Sequence, residues 1–212
     1  KPCGMLVRRT TIADDDQPVA LQLLREQLGR MVYPVFRIDR PTSGIVVFAH
    51  SPEMSKLLQD EFAKENSRKI YTALVRGWLN EPFTSKRDVK NDRGVLKEAE
   101  TRFSPLEHFE LHVPTDRYAN ARYSIVQVEL ITGRWHQIQQ HLAQMRHYII
   151  NDRVHGDGKQ NRLFTEQLGI REIFLHATKI SFLHPVKNTF IDISAPFPEH
   201  WEKFYEIGKS YL

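Results

Sequence analysis

The run KIYTALVRGWL, residues 69–79, constrains the fold more than any other segment. Tyr71, Ala73 and Val75 stand at one parity, Ile70 and Leu74 at the other, so a strand here has no face to give to water. Such a strand needs material on both sides, which demands a layered domain with a real core. With 41% of the 212 residues hydrophobic, the chain can build one without covalent staples. Cys3 is the lone cysteine and can form no internal bridge, which points to a reducing compartment. No apolar run approaches the roughly 20 residues of a membrane span. The opening KPCGMLVRR also lacks the apolar core of a signal peptide. The expectation is a cytoplasmic protein with no membrane partner.

Around that strand, elements of both kinds alternate irregularly. A first helix fits Pro18 to Leu28, capped by Asp16 or Gln17 and stopped by Gly29. VYPVFRID leads through a Pro-Thr-Ser-Gly turn into GIVVFA, an apolar run of strand length. Ser51-Pro52 opens a second helix with Met54, Leu57, Leu58 and Phe62 on its apolar face. Residues 80–100 are polar and carry Pro82, Asn91-Asp92 and Gly94, so they read as a surface excursion. YSIVQVEL is a further strand with Val126, Val128 and Leu130 inward. A helix over RWHQIQQHLAQM follows, with Trp135, Ile138, Leu142 and Met145 inward. After a basic, glycine-bearing loop over 152–172 come the strands IFLHATKISFL and TFIDIS, then a closing helix that buries Trp201, Phe204 and Tyr205. The absence of regular βαβ alternation favours a mixed α+β fold in a single domain over 1–212. Because KPCG is a turn with no element before it, the chain reads as lacking a first strand.

Net charge is 30 − 26 = +4, which tolerates a polyanionic partner without demanding one. His108/His112 and His136/His141 have no accompanying ligand motif, so no metal is expected. No glycine-rich phosphate loop or G-x-S-x-G elbow is present. Asp39 stands out, flanked by Arg37 and Arg40 ahead of the Pro-Thr-Ser-Gly turn. Two readings fit its neighbourhood: a carboxylate satisfied by arginines and turn amides, or one held ionised by adjacent cations for chemistry. Local spacing alone leans toward the first.

Four motifs in order carry a resemblance that covers nearly the whole chain. FRIDRPTSG resembles the HRLDxxTSG segment of the RluA-type RNA pseudouridine synthases, and KPCG resembles the turn that precedes it there. KIYTALVRGWL is similar to the strand that carries the family tyrosine. TGRWHQIQQHLA resembles TGRxHQxRxH, and IFLHATKISFLHP resembles the closing LHA…HP segment. The resemblance implies the pseudouridine synthase fold, a mostly antiparallel mixed sheet flanked by helices and loops. It implies a cofactor-independent isomerase acting on RNA as a monomer. The NDRVHGDGKQNR run and the RPTSG continuation look most like the branch acting on tRNA at uridine 65, while ribosomal RNA is a substrate elsewhere in the family.

By the same resemblance Asp39 is the catalytic carboxylate, as nucleophile or as proton acceptor, and Tyr71 packs on the uracil. Arg37 fills the gap left by the flipped base or contacts a phosphate. Arg134, Gln139 and Leu175 line the substrate, and Arg40, Lys69, Lys159 and Arg162 track the RNA backbone. Two positions depart from the family. Its HRLD histidine is Phe36, and the basic residue that pairs with the catalytic aspartate is Gln139, a neutral amide. Those departures support an alternative, a weakened synthase serving as an RNA-binding or RNA-folding module.

Overall fold

In the computed structural model, residues 1–9, 19–115 and 119–210 are described. Along the chain run α1 (Ala20–Leu28), β1 (Tyr33–Pro34), β2 (Ser43–Gly44), β3 (Phe48–Ala49), α2 (Pro52–Glu61) and β4 (Arg68–Arg76). They are followed by β5 (Phe83–Ser85), β6 (Val89–Lys90), β7 (Leu96–Lys97), β8 (Thr101–Leu111) and β9 (Ala121–Leu130). Then come α3 (Gln137–Gln144), α4 (Gly158–Arg162), a π-helical turn Leu163–Gln167, β10 (Leu175–Leu183), β11 (Phe190–Ser194) and α5 (Glu199–Lys209). The architecture is mixed α+β, as the irregular order of elements implied, with the mostly antiparallel sheet that the resemblance implied. The chain divides into two compact units, one of residues 1–69 and 177–196, the other of 70–176 and 197–212.

In the first unit, α1 ends where expected, at Gly29 in the left-handed conformation. Its proposed caps Asp16 and Gln17 lie outside the described residues. α2 starts at Ser51, whose Oγ accepts from Met54 N at 3.1 Å, with Pro52 in the first turn. Ser55 ties this helix to β1 by donating to the Pro34 carbonyl. Val35, Ala49, Leu58, Phe62, Ile180 and Phe182 form the core, with Phe36 and Met54 against it. Leu57, expected on the apolar face of α2, is exposed. GIVVFA is not one strand. Only Ser43–Gly44 and Phe48–Ala49 are extended in ladders, and β10 pairs antiparallel with β11, Ile180 opposite Ile193.

In the second unit β4, β9, β8 and β5 pair antiparallel in that order. Leu74 lies opposite Ile125 and Tyr71 opposite Val128, and Tyr71 through Val75 are all buried, as the two-parity pattern requires. One cluster joins Leu74, Phe109, Tyr123 and Ile125 to Phe164, Phe174, Trp201 and Phe204, so α5 closes a face of these strands. Within the excursion expected over 80–100, Ser85, Val89 and Ala99 are buried, and β6 and β7 form a hairpin. α3 begins three residues later than the sequence pattern suggested. Ile138 and Leu142 are buried as expected, but Trp135 is only half-buried ahead of the helix and Met145 is exposed. Leu130 is likewise only half-buried.

Candidate active site

The turn that carries Asp39 is assembled from three separated motifs of the first unit. Thr42 N donates to the Asp39 carbonyl at 3.1 Å, closing the turn after the aspartate. KPCG then lies along it: Gly44 N donates to the Lys1 carbonyl (2.9 Å), and Gly4 N donates to the Arg40 carbonyl (3.0 Å). Arg40 returns the contact, its Nε donating to the Gly4 carbonyl at 2.9 Å. On the other side Ile45 N donates to the Ala177 carbonyl at 3.0 Å, which brings in the closing segment. Gly44 is obligatory here, since it has φ +112° and a Cβ on it would lie 2.6 Å from the Ala177 nitrogen. Thr42 and Ser43 are buried beneath the turn, while Asp39 is half-buried and Arg37 exposed.

The Lys1 ammonium donates to the carbonyls of Met5 (2.8 Å) and Arg40 (3.0 Å), so it braces the residue next to the aspartate. Burial lowers its pKa to about 8, against the opposing pull of Cys3 and Asp39. Sequence reasoning passed over this lysine, although it opens the KPCG motif. Phe36, standing where the family has histidine, joins the unit's core edge-on to Phe62 at 5.2 Å. Lys69 was expected to track phosphates. Its ammonium donates to the Phe62 carbonyl at 3.4 Å, and burial lowers its pKa.

In the second unit Tyr71 and Leu175 are both buried, on β4 and at the start of β10. Arg134 is exposed, with Nε donating to the Glu98 carbonyl (3.1 Å), and Lys159 and Arg162 are exposed on α4. Gln139 is buried on α3 at 4% exposure. Its helix is held by a chain of polar contacts that sequence reasoning missed. Gln137 Nε2 donates to Thr101 Oγ1 (2.7 Å) and to the Glu100 carbonyl, while its Oε1 accepts from Thr132 and from Arg134 N. His141 reaches Thr101 Oγ1 with Nδ1 (2.9 Å) and the Arg87 carbonyl with Nε2 (2.8 Å). The carbonyl fixes Nε2 as the donor, so Nδ1 accepts from the threonine hydroxyl. Gln140 clamps both the N–H and the carbonyl of Lys90. The TGRxHQ motif thus secures the helix that presents Gln139. Among the described residues no three His, Cys, Asp or Glu side chains gather as a metal site, and no helix is long and apolar enough to cross a membrane.

Comparison with known proteins agrees with this construction. Residues 1–144 match the RNA pseudouridylate synthase family. The tRNA pseudouridine synthase C of Vibrio cholerae is 37% identical over 213 residues, spanning 95% of this chain and 87% of that protein. The protein of the same name from Salmonella typhimurium is 38% identical over 212 residues, spanning 95% and 82%. Among solved structures, human RNA Pseudouridylate Synthase Domain Containing 1 superposes with a TM-score of 0.67 at 21% identity, over 85% of this chain and 74% of that one. With the Asp39 turn, the tyrosine strand and the TGRxHQ helix all in the order of that family, the chain belongs to the RNA pseudouridylate synthases.

Proposed function

We propose that this enzyme isomerises one uridine of tRNA to pseudouridine, with uridine 65 as the finer assignment. The observation that carries the reading is the three-motif turn displaying Asp39, because no local feature requires KPCG, PTSG and Ala177 to converge there. Relatives named for action on tRNA supply the substrate class.

The reaction breaks the bond from ribose C1′ to base N1, turns the base, and forms a bond from C1′ to C5. The proton on C5 leaves and N1 gains one, so atoms and electrons balance without an oxidant. Asp39 serves as nucleophile or as acceptor of that proton. Tyr71 and Leu175 give the flipped uracil an apolar wall, and Arg37, exposed two residues before Asp39, fills the vacated stack. Arg134 and Gln139 contact the substrate strand, while Arg40, Lys69, Lys159 and Arg162 meet phosphates. Of these Lys69 is the weakest, because its ammonium is turned to a carbonyl. We place the enzyme in the cytoplasm as a monomer that needs neither cofactor nor metal.

A second reading rests on Gln139. A buried neutral amide cannot supply an arginine's charge to a carboxylate, and a weakened synthase kept as an RNA-binding module would tolerate that loss. Incubation with unmodified tRNA and with ribosomal RNA, followed by chemical mapping of pseudouridine, separates the readings. Product on tRNA from the unsubstituted protein and none from Asp39→Ala is the expected result. Tight binding without product would establish the module instead, and product only on ribosomal RNA would move the substrate.

A further inference from the structure

Trp135 occupies the variable position of TGRxHQ, and its surroundings are more built than a surface tryptophan needs. Consecutive side chains ordinarily diverge, on a helix or on a strand. Here the rings of Trp135 and His136 stack, with centroids 3.8 Å apart and planes within 13°. The stack exists because His136 adopts φ +49°, a left-handed conformation uncommon for a residue with a Cβ. Such outliers persist only where the surroundings hold them.

What holds this one is His155, eighteen residues past the motif helix's first residue in the NDRVHGD loop. His155 Nε2 lies 3.1 Å from His136 Nδ1, and its ring stands edge-on to both stacked rings. The loop is braced in turn. Asp152 Oδ1 accepts from the amides of Val154 and His155, Asn161 Nδ2 donates to the Asp152 carbonyl, and Asn151 donates to the carbonyls of Ile170 and Glu172. Gly156 leaves no room for a side chain against the Asp152 carbonyl. Arg134, the residue before Trp135, is exposed, and its Nε donates to the Glu98 carbonyl. No third ring contact to Trp135 occurs among the described residues, and the indole is half-buried.

We propose that the Trp135–His136 stack, fixed by His155, is a platform on which one unpaired base of the RNA substrate stacks next to the target uridine. This deepens the tRNA reading above and rests on it. A rigid, partly exposed aromatic face is how proteins hold unstacked bases without reading their edges. The platform therefore adds binding at a neighbouring nucleotide, and the His136–His155 contact sets its orientation. His155 is a positioning residue and does not touch RNA.

The test uses the full chain and an unmodified tRNA transcript, with tryptophan fluorescence and initial rates read together. Binding should quench a component of the emission in the unsubstituted protein, and that component should be missing in Trp135→Phe. Trp135→Ala should raise KM on the order of 5- to 100-fold with kcat little changed, while Trp135→Phe keeps most of the affinity. Transcripts with single abasic sites around the target locate the stacked base: at one position the abasic RNA should lose as much as Trp135→Ala, and the combination should lose no more. His155→Ala should weaken the quench and His155→Gln restore part of it. An unchanged KM in Trp135→Ala with no quench would overturn the platform. So would equal losses in Trp135→Phe and Trp135→Ala accompanied by a lowered melting temperature, which would make the indole a packing element. Quenching without any pseudouridine formed would refute the synthase reading and leave the platform standing.

Discussion

Replacing Gly44 by alanine isolates what the Asp39 turn requires. Gly44 has φ +112°, and a Cβ there would come within 2.6 Å of the Ala177 nitrogen and closer still to its carbonyl oxygen. The backbone term is about 1–3 kcal/mol for a residue forced into a sparsely populated region. The steric term is of similar size, about 1–3 kcal/mol, because backbone atoms of β10 must move rather than a flexible side chain. The sum, about 2–6 kcal/mol, is a large share of a typical stability of about 5–15 kcal/mol. Chemical denaturation should show that loss. Thermal melting should fall by about 5–20 °C at the usual scaling for this size. Gly94→Ala is the control: it shares a positive φ, +78°, but has no atom within 4 Å, so only about 1–2 kcal/mol should be lost. Activity should fall further in Gly44→Ala than the folded fraction explains, because Asp39 and Ile45 are bonded into the same turn. Equal losses in the two variants would refute the close approach of PTSG to Ala177.

His141 is fully buried with both ring nitrogens engaged, and burial lowers its pKa from about 6.5. The unfolded state then binds more protons just below 6.5, so stability is complete above that pH and declines as pH falls toward the folded value; His141→Gln should flatten this acid limb in pH-dependent melts. Gln140→Leu removes the clamp on Lys90 and should cost about 1–3 kcal/mol. Hydrogen exchange at the Lys90 amide should accelerate while the β4 and β9 amides keep their protection.

The legible parts of this fold are those where one local rule decides. β4 was readable because both parities are apolar, α2 because Ser51-Pro52 is a cap, and the end of α1 because Gly29 follows the last helical residue. β8, the longest strand, was invisible. Pro105 and the polar stretch after it break the alternation of Thr101, Phe103, Phe109 and Leu111, and the structure absorbs the interruption as a register shift between Pro105 and Glu107. The start of α3 was misplaced because nothing local announces that His136 turns left-handed; its distant ring contact comes from His155. Asp39 followed the same logic. Its immediate neighbours fitted a structural ion pair as well as a catalytic group, and the contacts that define its turn come from Lys1, Gly4 and Ala177.

Gln139 supplies a test of the pairing that the family motif implies, independent of turnover. At 4% exposure there is little room for a charge without compensation. An arginine introduced at this position with no carboxylate to meet it should destabilise the protein by about 3–5 kcal/mol, the loss typical of an unpaired buried charge. If the family's pairing operates here, Asp39 meets the guanidinium. Gln139→Arg is then nearly neutral in denaturant melts, and activity rises with the restored charge. The double variant Asp39→Asn/Gln139→Arg decides between these cases, because the arginine's partner is now uncharged. The cycle should give a coupling of up to about 3 kcal/mol between the two positions, beyond the scatter of about 0.3–0.5 kcal/mol for independent sites. Additive effects would mean that position 139 does not face Asp39. The amide at 139 would then serve its own surroundings, and a cationic partner for Asp39 would be sought within its own turn, where the Lys1 ammonium is already fixed to the Arg40 carbonyl.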